Sequence, residues 1–162
     1  MRKKIFFGLL FIALHIQSSG QLPVTKDRVP PFTILLTTGK NFSYTQLQKD
    51  KPVMLIYFAP DCDHCRDFIK KLTGGMREFA KTQIILVSYF PVEKLQQFYK
   101  DFKLSQFTNI KMGTEGNSFL VPKYFKIITF PFTAVFNKTG KLTATFRQPP
   151  SLEMLSNSLR KK

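Results

Sequence analysis

Two nearly continuous apolar runs frame the chain. "VMLIYFA" (Val53–Ala59) and "TQIILVSYF" (Thr82–Phe90) have strand length and the composition of strands covered on both faces, as in a buried parallel sheet. Between them, Phe68, Ile69 and Leu72 form the inner side of a helix that begins near Cys62. Gly74-Gly75 interrupts this helix before "MREFAK". After the second run, Pro91 is placed to open a helix at its first position, where its missing N–H costs nothing. Leu95, Phe98, Tyr99 and Phe102 then recur at helical spacing. The order β-α-β-α implies a parallel core joined by right-handed crossovers.

The flanking pattern completes a single α/β domain. "VPPFTILLTTGKNFSYTQLQKDK" (Val29–Lys51) predicts a short strand at Phe32–Leu36, a Thr-Gly-Lys turn and a brief helix at Tyr44–Gln48. "FTNIKMG" (Phe107–Gly113) predicts a third strand, and the segment to "FLVPKYFKI" a short helix. "TAVFNKTGKLTATF" (Thr133–Phe146) predicts a hairpin around an Asn-Lys-Thr-Gly turn. "SLEMLSNSLRKK" predicts a closing helix with Ser151 as N-cap, Leu152, Leu155 and Leu159 facing inward, and basic residues in the last turn. No internal repeat, low-complexity tract or linker divides the chain.

The first twenty residues stand apart from this pattern. Arg2, Lys3 and Lys4 precede the 12-residue apolar run Ile5–Ile16, and "QSSG" then places Ser18 and Gly20 three and one residues before a cut at Gln21. This is the pattern of a secretory signal peptide at 1–20, leaving a mature domain at 21–162. An uncleaved membrane anchor is the alternative, although the run is short against the ~20 residues of a membrane span. No cysteine follows the run, which excludes a bacterial lipoprotein anchor. Export, most naturally to a bacterial periplasm, also sets the meaning of the charge. The chain carries +15, and +12 remains once the three basic residues of 1–20 are removed. The lysines are spread along the chain, so the charge reads as a solvated surface with a role in docking, and nucleic acid is excluded as a partner. Eighteen phenylalanines and no tryptophan indicate a Phe-rich core.

The chemistry concentrates in "FAPDCDHCRDF" (residues 58–68), which holds both cysteines of the chain, Cys62 and Cys65. Structural zinc wants four N/S ligands. The mature chain offers two cysteines and His64, too few for a site within one molecule. Covalent haem attachment needs histidine directly after the second cysteine, where Arg66 stands. A structural disulfide across two intervening residues closes a tiny loop and removes little unfolded-state entropy. A redox pair fits best. A cysteine at a helix N-terminus meets unpaired N–H groups and the positive end of the helix dipole, which favour its thiolate. That position makes Cys62 the nucleophile. Cys65, one turn on, is spaced to resolve the mixed disulfide. His64 is placed to tune the Cys62 thiolate, against the opposing charges of Asp61 and Asp63.

"F-x-P-x-C-x-x-C" after a buried strand, with "TFPFTAVFNKTGKL" far downstream, resembles the thioredoxin superfamily. It is similar in particular to the TlpA/ResA-type thiol–disulfide oxidoreductases exported by bacteria, from about Val29 to the end of the chain. The resemblance implies a central mixed β-sheet flanked by helices, an N-terminal lead-in segment with the "TTGK" turn, and a central insertion before the "TFPF" strand. It implies a redox disulfide Cys62–Cys65 and no cofactor. Pro131 would be a cis-proline facing the cysteines, with the backbone of Phe130 pairing with an extended substrate segment. The implied partners are disulfide- or thiol-bearing exported proteins and a membrane redox partner, served by a monomer. In two places the chain departs from the pattern. Ile56 and Phe68 stand where relatives carry the carboxylate that accepts the proton of the second cysteine, and Asp67 and Lys70 are expected as an exposed i, i+3 pair. Two rivals follow from the same residues. A peroxiredoxin-like peroxidase would attack peroxide with Cys62, but Ala59 and Pro60 stand where such enzymes carry threonine. A copper- or other soft-metal-binding protein would use Cys62, Cys65 and His64 as ligands.

Overall fold

The computed structural model describes residues 27–161, so the expected export segment lies outside the described residues. In chain order the strands are β1 (Thr33–Leu36), β2 (Asn41–Ser43), β3 (Val53–Tyr57), β4 (Gln83–Ser88), β5 (Ile110–Thr114), β6 (Phe132–Phe136) and β7 (Leu142–Phe146). The helices are α1 (Asp63–Gly74), α2 (Val92–Asp101), α3 (Leu120–Phe125) and α4 (Leu152–Arg160). All the strands join one sheet in the order β2-β1-β5-β4-β3-β6-β7. The expected parallel core is present, with β4 paired in parallel to both β3 and β5. β6 and β7 extend it antiparallel on one side, and β1 and β2 on the other.

Every residue of β3 is buried, as a strand covered on both faces requires. Alternation sends Met54 and Ile56 into one layer with Phe68, Ile69 and Leu72 of α1, Leu95 and Phe98 of α2, and Leu155 of α4. Leu55 and Tyr57 enter the opposite layer with Phe32, Val121 of α3, Phe132 and Phe136. The hairpin expected from Thr133–Phe146 joins β6 to β7. The Asn137 side-chain oxygen accepts the backbone N–H groups of Thr139 and Lys141, both at 3.0 Å, and so shapes its turn. Ser151 caps α4, its hydroxyl accepting the Met154 N–H at 3.1 Å.

Several boundaries differ from the sequence expectations, each for a local reason. Asn41–Ser43 folds back on β1 as a strand, through a turn in which Gly39 takes φ +80°. The brief helix shrinks to a single 3-10 turn, Tyr44–Gln46, in which the Gln46 side chain accepts the Ser43 N–H at 2.8 Å. The third strand starts at Ile110, because Asn109 is committed to a turn, its amide donating to the carbonyls of Phe79 and Thr82. Pro91 sits at the N-cap of α2, with extended ψ 146°, one place before the expected first helical position. Pro122 lies within the first turn of α3, where a missing N–H leaves no helical bond unmade.

Because β3, β4 and β5 run in parallel, their C-terminal ends share one edge of the sheet. β6 runs the other way, and Phe132 at its start faces Tyr57 at the end of β3. That edge therefore collects Cys62, Tyr89 and Phe90, Glu115 and Pro131 from four distant parts of the chain.

Candidate active site

Cys62 is the N-cap of α1, with extended φ −90° and ψ 116°. Its Sγ accepts the backbone N–H of Cys65 at 3.4 Å, which places a fixed donor at the sulfur where negative charge would develop. The Cys62 N–H donates to the carbonyl of Ala59 at 3.2 Å, tying the turn that leaves β3. Cys62 is half-buried and Cys65 fully buried, and both are free thiols. Burial pushes the Cys65 thiol up to about 12, and the neighbouring Cys62 and Asp61 add to the shift while a hydrogen bond with the Ala59 backbone opposes it.

The Phe130–Pro131 peptide is cis. The thiol of Cys62 points at the Phe130 carbonyl, 4.0 Å away across 68 residues of sequence. Cys62, Cys65, Phe130 and Pro131 thus come together, as the resemblance implied. His64 does not join them. It is exposed, no hydrogen bond links its ring to Cys62, and it instead lines a groove of about 650 Å³ between α1 and Pro149–Leu152. Asp67 lines the same groove, and no ion pair joins it to Lys70.

Ile56 and Phe68 are 0% and 2% exposed and share the apolar layer of Cys65. The two positions where the resemblance leads one to expect carboxylates are therefore filled with hydrocarbon in contact with the same core. Thr133 is also fully buried. It stands opposite Ile56 on β6, and its hydroxyl has no protein partner. Among the described residues no three His, Cys, Asp or Glu side chains converge on a common point.

Three further side chains shape this edge and were not singled out in the sequence. Arg66 donates to the Pro60 carbonyl at 3.2 Å and lies over the rings of Phe98 and Phe102, at 5.7 and 5.1 Å, fixing the loop before Cys62. Glu115 is a buried carboxylate that accepts the Tyr57 hydroxyl at 2.7 Å, the Val121 N–H at 3.1 Å and the Ser118 hydroxyl at 3.3 Å. Burial, followed by this carboxylate, raises the Tyr57 phenol above its ordinary value and keeps it protonated. Tyr57 points into the layer opposite Cys65, so Glu115 does not replace the missing acceptor. The one available signal for Glu115 was its isolation, since it is the sole acid between Phe107 and Lys123.

A family model described as the AhpC/TSA family matches residues 25–149. The chain belongs to the AhpC/TSA family. No curated protein matches it. Among solved structures, a secreted Mycobacterium tuberculosis disulfide oxidoreductase homologous to Escherichia coli DsbE aligns with TM-score 0.65 at 16% identity, over 80% of this chain and 94% of that one. A thiol-disulfide oxidoreductase from Bacteroides fragilis aligns with TM-score 0.67 at 21% identity, over 82% and 97% of the two chains. A peroxiredoxin-like protein from Aquifex aeolicus gives TM-score 0.68 at 16% identity, over 83% and 84%. At these identities the likeness is one of fold. This AhpC/TSA member has the thioredoxin-like α/β fold, a central mixed sheet flanked by helices.

Proposed function

We propose that this AhpC/TSA-family protein is an exported thiol–disulfide oxidoreductase of the TlpA/ResA type, exchanging disulfides with partner proteins through Cys62 and Cys65. The observation that carries the reading is the asymmetry of the pair. One sulfur sits at a helix N-cap with an N–H aimed at it and a carbonyl edge beside it, while the other is buried one turn behind. In the reducing direction, the Cys62 thiolate attacks one sulfur of a substrate disulfide. A Cys62–substrate disulfide forms, and the other substrate sulfur leaves and takes up a proton. Cys65 then loses its proton and attacks the Cys62 sulfur, the Cys62–Cys65 bond forms, and the second substrate thiol departs. Two electrons pass from the dithiol to the substrate, and the same steps in reverse oxidise it.

The raised Cys65 thiol fits this order. Burial comes first among its causes and persists throughout, but the opposition from Cys62 ends once that sulfur is tied to substrate. Cys65 therefore ionises more readily in the mixed disulfide than in the free dithiol. With Ile56 and Phe68 in the carboxylate positions, neither of these side chains can take the proton of Cys65. The signal-like start and the secreted neighbour support export.

Equilibration with glutathione buffers of graded potential tests the reading. The protein is expected to pass from two free thiols to none in a single two-electron transition. Thiols that stay free across the series would contradict it. A tight Cu(I) complex in their place would favour the soft-metal reading. The peroxidase reading draws support from the family match and the peroxiredoxin-like neighbour. Ala59 and Pro60 before Cys62 weigh against it, and oxidation of Cys62 by micromolar hydrogen peroxide within seconds would restore it.

A further inference from the structure

The edge that carries Cys62 also carries a row of aromatic rings that the exchange chemistry does not use. The Phe130 ring, on the residue whose carbonyl faces the Cys62 sulfur, lies 6.2 Å from the Tyr89 ring, and Tyr89 lies 5.7 Å from Phe119. Phe130 is braced from below by the buried Tyr57 ring at 5.7 Å, and Tyr89 from the side by Phe90 at 4.7 Å. Large apolar groups in water are a cost that folded chains usually reduce. Here Tyr89 and Phe119 stay 36% and 37% exposed, and Ile128, on the loop leading into Phe130, is 85% exposed.

The outermost ring is held in place at the expense of its own backbone. Phe119 has φ +47°, in the left-handed region that a bulky residue rarely enters. Such strain persists only where the surroundings over-determine it. Glu115 does this by accepting from Ser118 and from Val121, the residues on either side of the Phe119–Leu120 pair, while anchored itself on Tyr57. An exposed aromatic fixed by a buried carboxylate is preorganised, with its ordering cost met before anything binds.

We propose that Phe130, Tyr89 and Phe119 form a platform that selects substrates by a large apolar or aromatic side chain close in sequence to the target cysteine. This rests on the exchange reading above and names the substrate class for it. The occupant follows from the tether. In a mixed disulfide the two Cα atoms lie about 4.4–6.8 Å apart, and each further residue adds at most about 3.8 Å. The residues one to three places from the substrate cysteine can therefore reach the surface that begins at Phe130 and runs outward to Tyr89 and Phe119. Aromatic pairs add favourable contact beyond their buried area.

Disulfide-linked pentapeptide dimers, with a central cysteine and Phe, Leu, Ser or Asp two positions away, test this. The readout is the second-order rate at which each oxidises the reduced protein, with glutathione disulfide as a substrate lacking such a side chain. The expected order is Phe, then Leu, then Ser and Asp, with Phe about fivefold or more ahead of Ser. In Phe119→Ser and Tyr89→Ser the ratio of the Phe to the Ser rate is expected to fall towards one. Each ratio is internal to its variant, and the wild-type series needs no variant at all. Equal rates for all peptides, with glutathione disulfide still reacting, would overturn the platform and leave the exchange reading standing. A Phe preference that survives in both variants would also overturn it. No reaction with any disulfide would remove the exchange reading itself.

Discussion

Cys65 differs from Cys62 in what surrounds it, and that difference has measurable consequences. With its thiol pushed up to about 12 by burial first and Cys62 second, Cys65 should resist alkylation. Iodoacetamide at pH 8 is expected to stop after one equivalent, on Cys62, as peptide mapping would show. Labelling of both at similar rates would mean the buried position is open. The same shift links stability to pH. A free cysteine ionises near 8.5, so between about 8.5 and 12 the unfolded chain has released a proton that the folded dithiol still holds. This contribution is present below about 8.5 and lost as pH rises towards 12. The urea midpoint of the reduced protein is expected to fall between pH 8 and pH 10 by more than that of Cys65→Ala. Tyr57 is shifted in the same direction but is common to both proteins, so the difference isolates Cys65.

At the scale of elements, the segment between β5 and α3 hangs on one carboxylate. Glu115→Ala strands the Tyr57 hydroxyl and the Val121 N–H in a buried layer. Its expected cost is about 3 kcal/mol, the upper part of the range for hydrogen bonds to a charged group. Glu115→Gln, whose oxygen can still accept the Val121 N–H while its amide nitrogen donates to the Tyr57 oxygen, should cost less than half as much. Equal losses in denaturant melts would mean that the charge, and not the accepting geometry, holds the segment. This element also marks where sequence reading stops. β3 and β4 were legible because a strand buried on both faces must be apolar throughout, and α4 because its cap and its stripe agree. β2 was not, since three residues give no period. Tyr89 and Phe90 looked like the end of a strand for being apolar, whereas both leave the sheet, Tyr89 to the surface and Phe90 half-buried against the layer of α1 and α2. A lone Glu115 looks like any surface acid until the sheet order brings Tyr57 to it across 58 residues. The cysteines were legible because their spacing and setting form a pattern, and the cis-proline only through the family resemblance. His64 was set beside Cys62 on adjacency alone, and adjacency in sequence says nothing about which way a helix turns a side chain.

Over the whole molecule, the sheet gathers the exits of β3, β4 and β5 and the start of β6 on one edge, and every residue assigned to exchange lies there. The proposed exchange therefore depends on which sulfur that edge presents and which it hides. Trapping in an exporting cell, read on non-reducing gels, tests this most directly. Cys65→Ala leaves the N-cap sulfur of Cys62 beside the Phe130 carbonyl and removes the thiol that would release a bound partner. It is predicted to accumulate reductant-sensitive adducts with other proteins. Cys62→Ala leaves only the buried thiol and is predicted to accumulate almost none. Equal trapping by the two variants, or no adducts from Cys65→Ala, would contradict the account.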